Sequence, residues 1–185
     1  MNQHSVIIIL ADGFEETEAI GTADVLKRIG FTVRFAGLNS DVVKSSAGTR
    51  ILTDLRFQDV DWSKADAVVL PGGLPGATNL RDSEAVIEAV RTMYGSGKVA
   101  AAICAAPIVL ERAGLTGGKR VTGYPGTNQG LADLVYTGNR TERDGNLVTG
   151  KGPGASFDFA VEIARALNAD PAKIEVVLDG MFVQR

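Results

Sequence analysis

The chain has a single cysteine, Cys104, and the residues around it suit a nucleophile. It follows the apolar run Val99-Ala100-Ala101-Ala102-Ile103 and precedes a helical segment from about Ala106 to Ala113. Where a strand turns abruptly into a helix, the junction residue sits on a bent backbone that tolerates only small neighbours, and Ala102 and Ala106 stand two residues to either side. The helix behind it would direct free N–H groups and partial positive charge at the sulfur, favouring thiolate. Position alone leaves a second reading open, a buried structural cysteine, because free Cys is among the most buried residue types.

Glu15, Glu16 and Glu18 place three carboxylates in four residues. Two are explained as acidic residues in the first turn of a helix, where they stabilise its dipole. A glutamate facing Cys104 is different. Ionised, it would repel a thiolate; neutral, it could donate a hydrogen bond to the sulfur anion and shuttle a proton, so a functional role requires a protonated carboxyl. Pro71-Gly72-Gly73 offers backbone N–H groups for one half of an oxyanion hole, with the Ala105 amide as the other. The only histidine, His4, opens the first strand, and at ~3.3 Å per residue it lies roughly 25 Å from that strand's other end. A Cys-His dyad within one chain is thereby excluded. Asp158 breaks a serine elbow at Ser156, which reads as a helix N-terminal serine. Gly114 to Arg120 lacks the hydroxyl residue of a phosphate loop and runs into a strand.

These groups need a scaffold, and the patterning supplies one. Apolar β-branched runs alternate with segments of helical period, which indicates an α/β fold: a doubly wound, mostly parallel sheet with helices on both faces. Strands are expected at Val6–Ala11, Thr32–Ala36, Ala67–Leu70, Val99–Ile103, Arg120–Tyr124 and Leu147–Thr149, with a hairpin-like excursion over Asp41–Asp54. Asp12-Gly13-Phe14-Glu15 fits a capping box for a helix through Ala19, Ile20, Ala23, Leu26, Lys27 and Ile29 that Gly30 ends. Val86, Ile87, Val90 and Met93 mark a second helix, Phe157, Ala160, Ile163, Ala164 and Leu167 another, and a short one begins at Pro171. In such sheets ligands bind beyond the carboxyl ends of the strands, where Cys104, Glu15–Glu18 and Gly72-Gly73 all fall.

Composition narrows the function. The 185 residues carry 19 basic and 22 acidic side chains, a net charge of −3, with no linker or repeat, so one domain over residues 1–185 is expected. One cysteine cannot form an internal disulfide, and one Cys with one His cannot supply a structural zinc site; no metal is expected. No basic stripe suggests nucleic acid. The apolar run Val6–Ala11 is far short of the ~20 residues that span a bilayer, and a cytoplasmic protein is expected.

Four segments together resemble the ThiJ/PfpI superfamily, in the subgroup of the human parkinsonism-associated deglycase and bacterial YajL: Ala11 to Glu18, Val69 to Gly73, Ala101 to Pro107 and Gly150 to Phe157. The resemblance spans nearly the whole chain. It implies a flavodoxin-like fold of the class I glutamine-amidotransferase type and a homodimer. Cys104 would be the reactive cysteine, hydrogen-bonded by a protonated Glu18, with oxyanion-hole amides at Gly73 and Ala105 and a pocket around Glu15, Gly72, Ala106, Tyr124 and Pro153. The implied activity is cofactor-free conversion of methylglyoxal or glyoxal to the hydroxy acid, or repair of early glycation adducts; the alternative is a redox-responsive chaperone or sensor working through oxidation of Cys104.

Two departures matter. Tyr124 stands where human-type relatives have a histidine, so proton transfer would fall to Glu18 or water. Ala47 stands where relatives often carry an arginine, leaving Arg50 or Lys151 as candidate anion-binding groups. A peptidase reading fails because such relatives place a histidine after the cysteine, and here that residue is Ala105.

Overall fold

The computed structural model describes residues 4–127 and 133–184. In chain order the elements are β1 (Ser5–Leu10), α1 (Thr22–Ile29), β2 (Thr32–Gly37), β3 (Val42–Lys44), β4 (Arg50–Leu52), β5 (Leu55–Arg56), β6 (Ala67–Leu70), α2 (Gly76–Arg81), α3 (Glu84–Gly95), β7 (Val99–Ile103), α4 (Pro107–Arg112), β8 (Arg120–Val121), β9 (Val135–Tyr136), β10 (Thr141–Asp144), β11 (Leu147–Gly150), α5 (Ser156–Ala166) and α6 (Pro171–Gly180).

Seven strands form one sheet in the order β10-β11-β7-β6-β1-β2-β5. All pairings are parallel except β10 with β11. The five main parallel strands thus run second, first, third, fourth, fifth, the flavodoxin-like order, with its switch point between β1 and β6. The strands read as unbroken apolar runs because both faces are covered. Val6, Ile8 and Leu10 pack with Leu26, Ile29, Phe159, Ile163 and Ile174 from α1, α5 and α6. Ile7 and Ile9 pack on the other face with Val86, Ile87, Val90 and Leu110 from α3 and α4. The excursion between β2 and β5 is the antiparallel hairpin β3–β4.

Several expectations are corrected. Arg120–Tyr124 is not a strand of the main sheet: only β8 is extended, pairing with β9 in a separate two-stranded sheet. The chain leaves that ladder at Thr122, whose amide donates to Thr149 Oγ1 at 2.9 Å, and the Tyr124 amide then donates to the Cys104 carbonyl at 2.8 Å. In α5 the buried aromatic is Phe159, and Phe157 is 38% exposed. Two positions apart on a helix, only one of the pair can face the core. Ser156 is the N-terminal residue of α5, as expected, and its hydroxyl donates to the Pro153 carbonyl. Asp12 does not cap the first helix, because its Oδ1 accepts from the Lys44 amide at 2.8 Å. A π-helical turn, Thr17–Gly21, leads into α1, and Gly30 ends that helix at φ +107°. No helix among the described residues is long and apolar enough to cross a membrane.

Candidate active site

Cys104 joins β7 to α4 with φ +63°, in the left-handed region that side chains rarely occupy. Two main-chain hydrogen bonds hold it there: its amide donates to the Gly150 carbonyl at 2.9 Å, and its carbonyl accepts from Tyr124. Ala102 and Ala106 are both fully buried, so the bend tolerates nothing larger on either side. The residue itself is 9% exposed.

Glu18 lies on the π-helical turn and is 1% exposed. The wider turn is a common device at functional sites, since one extra residue per turn re-aims a side chain. Three hydrogen bonds lock the carboxylate loop to the glycine turn in a closed ring. The Glu15 amide donates to the Gly72 carbonyl at 3.0 Å, the Glu18 amide to Glu15 Oε2 at 2.7 Å, and the Gly72 amide to Glu18 Oε2 at 2.8 Å. Glu15 therefore does the helix capping that Asp12 was expected to do. Gly72 must be glycine: a Cβ there would stand 2.7 Å from Cys104 Cβ and 2.8 Å from Glu18 Oε2. Gly73, at φ +84°, turns the chain so closely past Gly13 and Glu15 that a Cβ would also collide.

Electrostatics couple the two groups. Burial pushes the Glu18 carboxyl up to about 7; contacts with Cys104 and the Gly72 amide oppose the rise and the Glu15 charge adds to it. Burial first, then the Glu18 charge and the hydrogen bond to it, push the Cys104 thiol up to about 12, while the amides of Ala105 and Gly73 pull it down. Helix α4, six residues long, does not by itself yield the thiolate expected from position. The two groups titrate as a pair, losing one proton near neutrality and holding the second far into the alkaline range. Glu18 Oε1 is buried without a hydrogen-bond partner, the atom where a retained proton costs least and a negative charge most.

The structure thus gathers Cys104, Glu18, Glu15, Gly72, Gly73 and the Ala105 amide. Tyr124 and Pro153 line a neighbouring cavity with Lys151 and Arg140. Ala106 is a correction: it is fully buried in the α3–α4 core and packs beneath the bend instead of lining a pocket. Ala47 is exposed on the Ser45–Thr49 turn, and Arg50 is exposed on β4. Glu16 holds that turn by accepting from Ser45 Oγ at 3.0 Å and Thr49 Oγ1 at 3.2 Å. Sequence reasoning missed Arg140, which pins the Gly152–Ala155 loop by donating to the Gly154 carbonyl and to Asp158 Oδ2; no local pattern signals it. Among the described residues no group of three or more His, Cys, Asp or Glu side chains is disposed to hold a metal.

Known proteins share this architecture. The chain is 42% identical over 182 residues to Protein dj-1beta of Drosophila melanogaster, covering 97% of each chain. It is 34% identical over 179 residues, 95% of each chain, to a Caenorhabditis elegans protein named glutathione-independent glyoxalase DJR-1.2. The crystal structure of Drosophila melanogaster DJ-1beta superposes with a TM-score of 0.94 at 41% identity over 100% of both chains. The profile of the DJ-1/PfpI family matches residues 4–166, and the chain belongs to that family.

Proposed function

We propose that the protein is a cofactor-free glyoxalase acting on methylglyoxal and glyoxal, with early glycation adducts as related substrates. The observation that carries this reading is the strained, nearly buried Cys104 set beside the buried Glu18 carboxyl across Gly72, whose amide donates to Glu18 Oε2 and whose missing Cβ would stand 2.7 Å from Cys104 Cβ. The name of the Caenorhabditis elegans relative supports the reaction class.

In the reactive form Glu18 keeps the proton and the sulfur is the anion, an arrangement that the Ala105 and Gly73 amides favour and that burial of the sulfur opposes. The thiolate attacks the aldehyde carbon, forming a C–S bond and an oxyanion held by the same amides. Glu18 gives its proton to that oxygen. As carboxylate it then takes the C1 proton, giving an enediolate, and returns it to C2 while the hydroxyl proton on the C1 oxygen passes to the C2 oxygen, so two electrons move from the aldehyde carbon to the ketone carbon. The resulting thioester is hydrolysed by water, giving lactate and the free thiol. Methylglyoxal plus water equals lactate, so no external oxidant or reductant is needed. No histidine takes part.

The reading extends to a homodimer in the cytoplasm. Ile20 and Phe157, exposed where the π-helical turn meets α5 at Gly21, are the apolar surface a second copy would cover.

The test is methylglyoxal consumption with chiral detection of lactate, for wild type beside Cys104→Ser. Enantiospecific lactate that falls about a thousandfold in the variant is expected. Aldehyde loss without lactate means simple thiol adduct formation. The weight then moves to a redox role, in which Cys104 is oxidised to sulfinate and neutral Glu18 donates to the product.

A further inference from the structure

A cavity of about 320 Å³ is enclosed by two segments that are each hydrogen-bonded, at their base, to the backbone of Cys104, which does not itself line it. One wall is Tyr124 and Pro125, anchored by the Tyr124 amide on the Cys104 carbonyl at 2.8 Å. The other is Lys151 to Ala155, which continues directly from Gly150, whose carbonyl accepts from the Cys104 amide at 2.9 Å. Each wall therefore starts about one strand spacing, roughly 4.8 Å, from the main chain of the nucleophile. The Tyr124 ring lies against Gly152, where a Cβ would meet Cδ2 at 3.7 Å. With Pro125, Pro153 and Ala155 it makes the lining mostly carbon.

Two cations interrupt that lining, and they differ. Arg140 already has its counter-ion: Nε and Nη2 donate to Asp158 Oδ2 at 2.9 and 2.6 Å. Lys151 has none. Its Nζ donates to the Gly138 carbonyl at 3.0 Å, a neutral partner, and it forms no ion pair among the described residues. An ammonium has three donors, so two remain. A half-buried cation with spare donors and no counter-charge, beside an apolar cavity, is matched by an anion on a short carbon chain. A single spare cation suits a carboxylate better than a phosphate, whose three oxygens call for several donors.

Resting on the reading of Cys104 as a carbonyl-attacking nucleophile, we propose that this cavity receives the non-reacting end of the substrate. Lys151 selects a carboxylate there, so 2-oxoaldehydes with a short acidic chain are preferred over neutral ones of equal length. The implied substrates are small acidic dicarbonyls, beyond methylglyoxal itself.

The experiment compares kcat/KM for 4,5-dioxopentanoate and 2-oxopentanal. The acid is expected to lead by about tenfold, the worth of one charge-assisted hydrogen bond. Lys151→Gln brings the ratio close to one, and Lys151→Arg keeps most of it. A second arm reads binding without turnover: 4-oxopentanoate, an unreactive ketone, titrated by NMR into Cys104→Ser with and without Lys151→Gln. Binding that weakens about tenfold without the lysine supports the subsite, even if neither dicarbonyl is turned over and the nucleophile reading fails. A selectivity ratio unmoved by Lys151→Gln overturns the proposal. So does turnover of both dicarbonyls with no lysine-dependent binding of 4-oxopentanoate, and that result leaves the catalytic reading standing.

Discussion

At the amino-terminal ends of the strands, His4, Asp66, Lys98 and Arg143 surround a cavity of about 350 Å³; at their carboxyl ends, a cavity of about 320 Å³ is walled by the segments bonded to the Cys104 backbone. Judged by residue type, the first resembles a catalytic site more closely, since it holds the only histidine, 3.4 Å from a carboxylate. Its groups are satisfied. Asp66 Oδ2 accepts the Ser5 amide at 2.8 Å, and Lys98 Nζ donates to the carbonyls of Trp62 and Ser63, each at 2.9 Å. The side chains of His4 and Asp66 are 38% and 42% exposed, so water screens the pair. At the Cys104 end the backbone is strained, the carboxyl is buried and one of its oxygens has no partner. A buried ionisable group with an unpartnered oxygen separates the two ends, whereas cavity size, residue type and a left-handed backbone residue do not, since Asn168 at φ +57° lines the first cavity.

That contrast can be broken by substitution. The largest effect is expected from pairing Cys104→Ser with His4→Ala: the first lowers lactate formation about a thousandfold and the second leaves it at the wild-type rate. A His4→Ala enzyme with comparable loss would return the histidine end to consideration.

Next in size is the effect of Glu18 on stability. The Cys104–Glu18 pair gives up its first proton near 7, the value to which Glu18 is raised, while an unfolded glutamate does so near 4.5. Between those values the folded state therefore binds one more proton than the unfolded chain, whichever of the two groups releases it. The contribution is fully present below about pH 4.5 and is lost as pH rises through 7, by up to about 3 kcal/mol. Urea unfolding of wild type against Glu18→Gln reads this as a difference that turns in favour of the variant with rising pH. A pH-independent difference contradicts the raised pKa. The same variant should lose most of its turnover, since an amide cannot pass a proton.

Glycines at the two ends give the smallest contrast. Gly72→Ala forces a Cβ to within 2.7 Å of Cys104 Cβ and should cost about 2–3 kcal/mol. Gly145→Ala, at φ +66° with open space around it, should cost about 1 kcal/mol of backbone strain alone. Equal melting shifts would deny the crowding at the site.

How far the chain could be read in advance follows the same physics. The strands that position the site were legible because burial on both faces demands unbroken apolar runs, and the bend at Cys104 because it demands alanines. Strand β10, Thr-Glu-Arg-Asp, was not, since an edge strand needs no apolar residues. Ala106 was read as pocket because it flanks Cys104, yet the crowding that makes it small also buries it. Phe157 and Phe159 fit the helical stripe equally in sequence; only packing against Gly21 sets Phe157 outside. Glu15 as the cap of Glu18, and Arg140 as the clamp on the Gly152–Ala155 loop, join residues that local patterning does not connect.

The central claim is that the first proton lost by the Cys104–Glu18 pair leaves the sulfur and stays off it while Glu18 remains neutral. The rate of Cys104 alkylation by iodoacetamide against pH tests it directly. An inflection near pH 7 in wild type, with a reactive plateau above it, is expected. A rate that climbs steadily past pH 10 with no inflection near neutrality would place the proton on the thiol and contradict the mechanism.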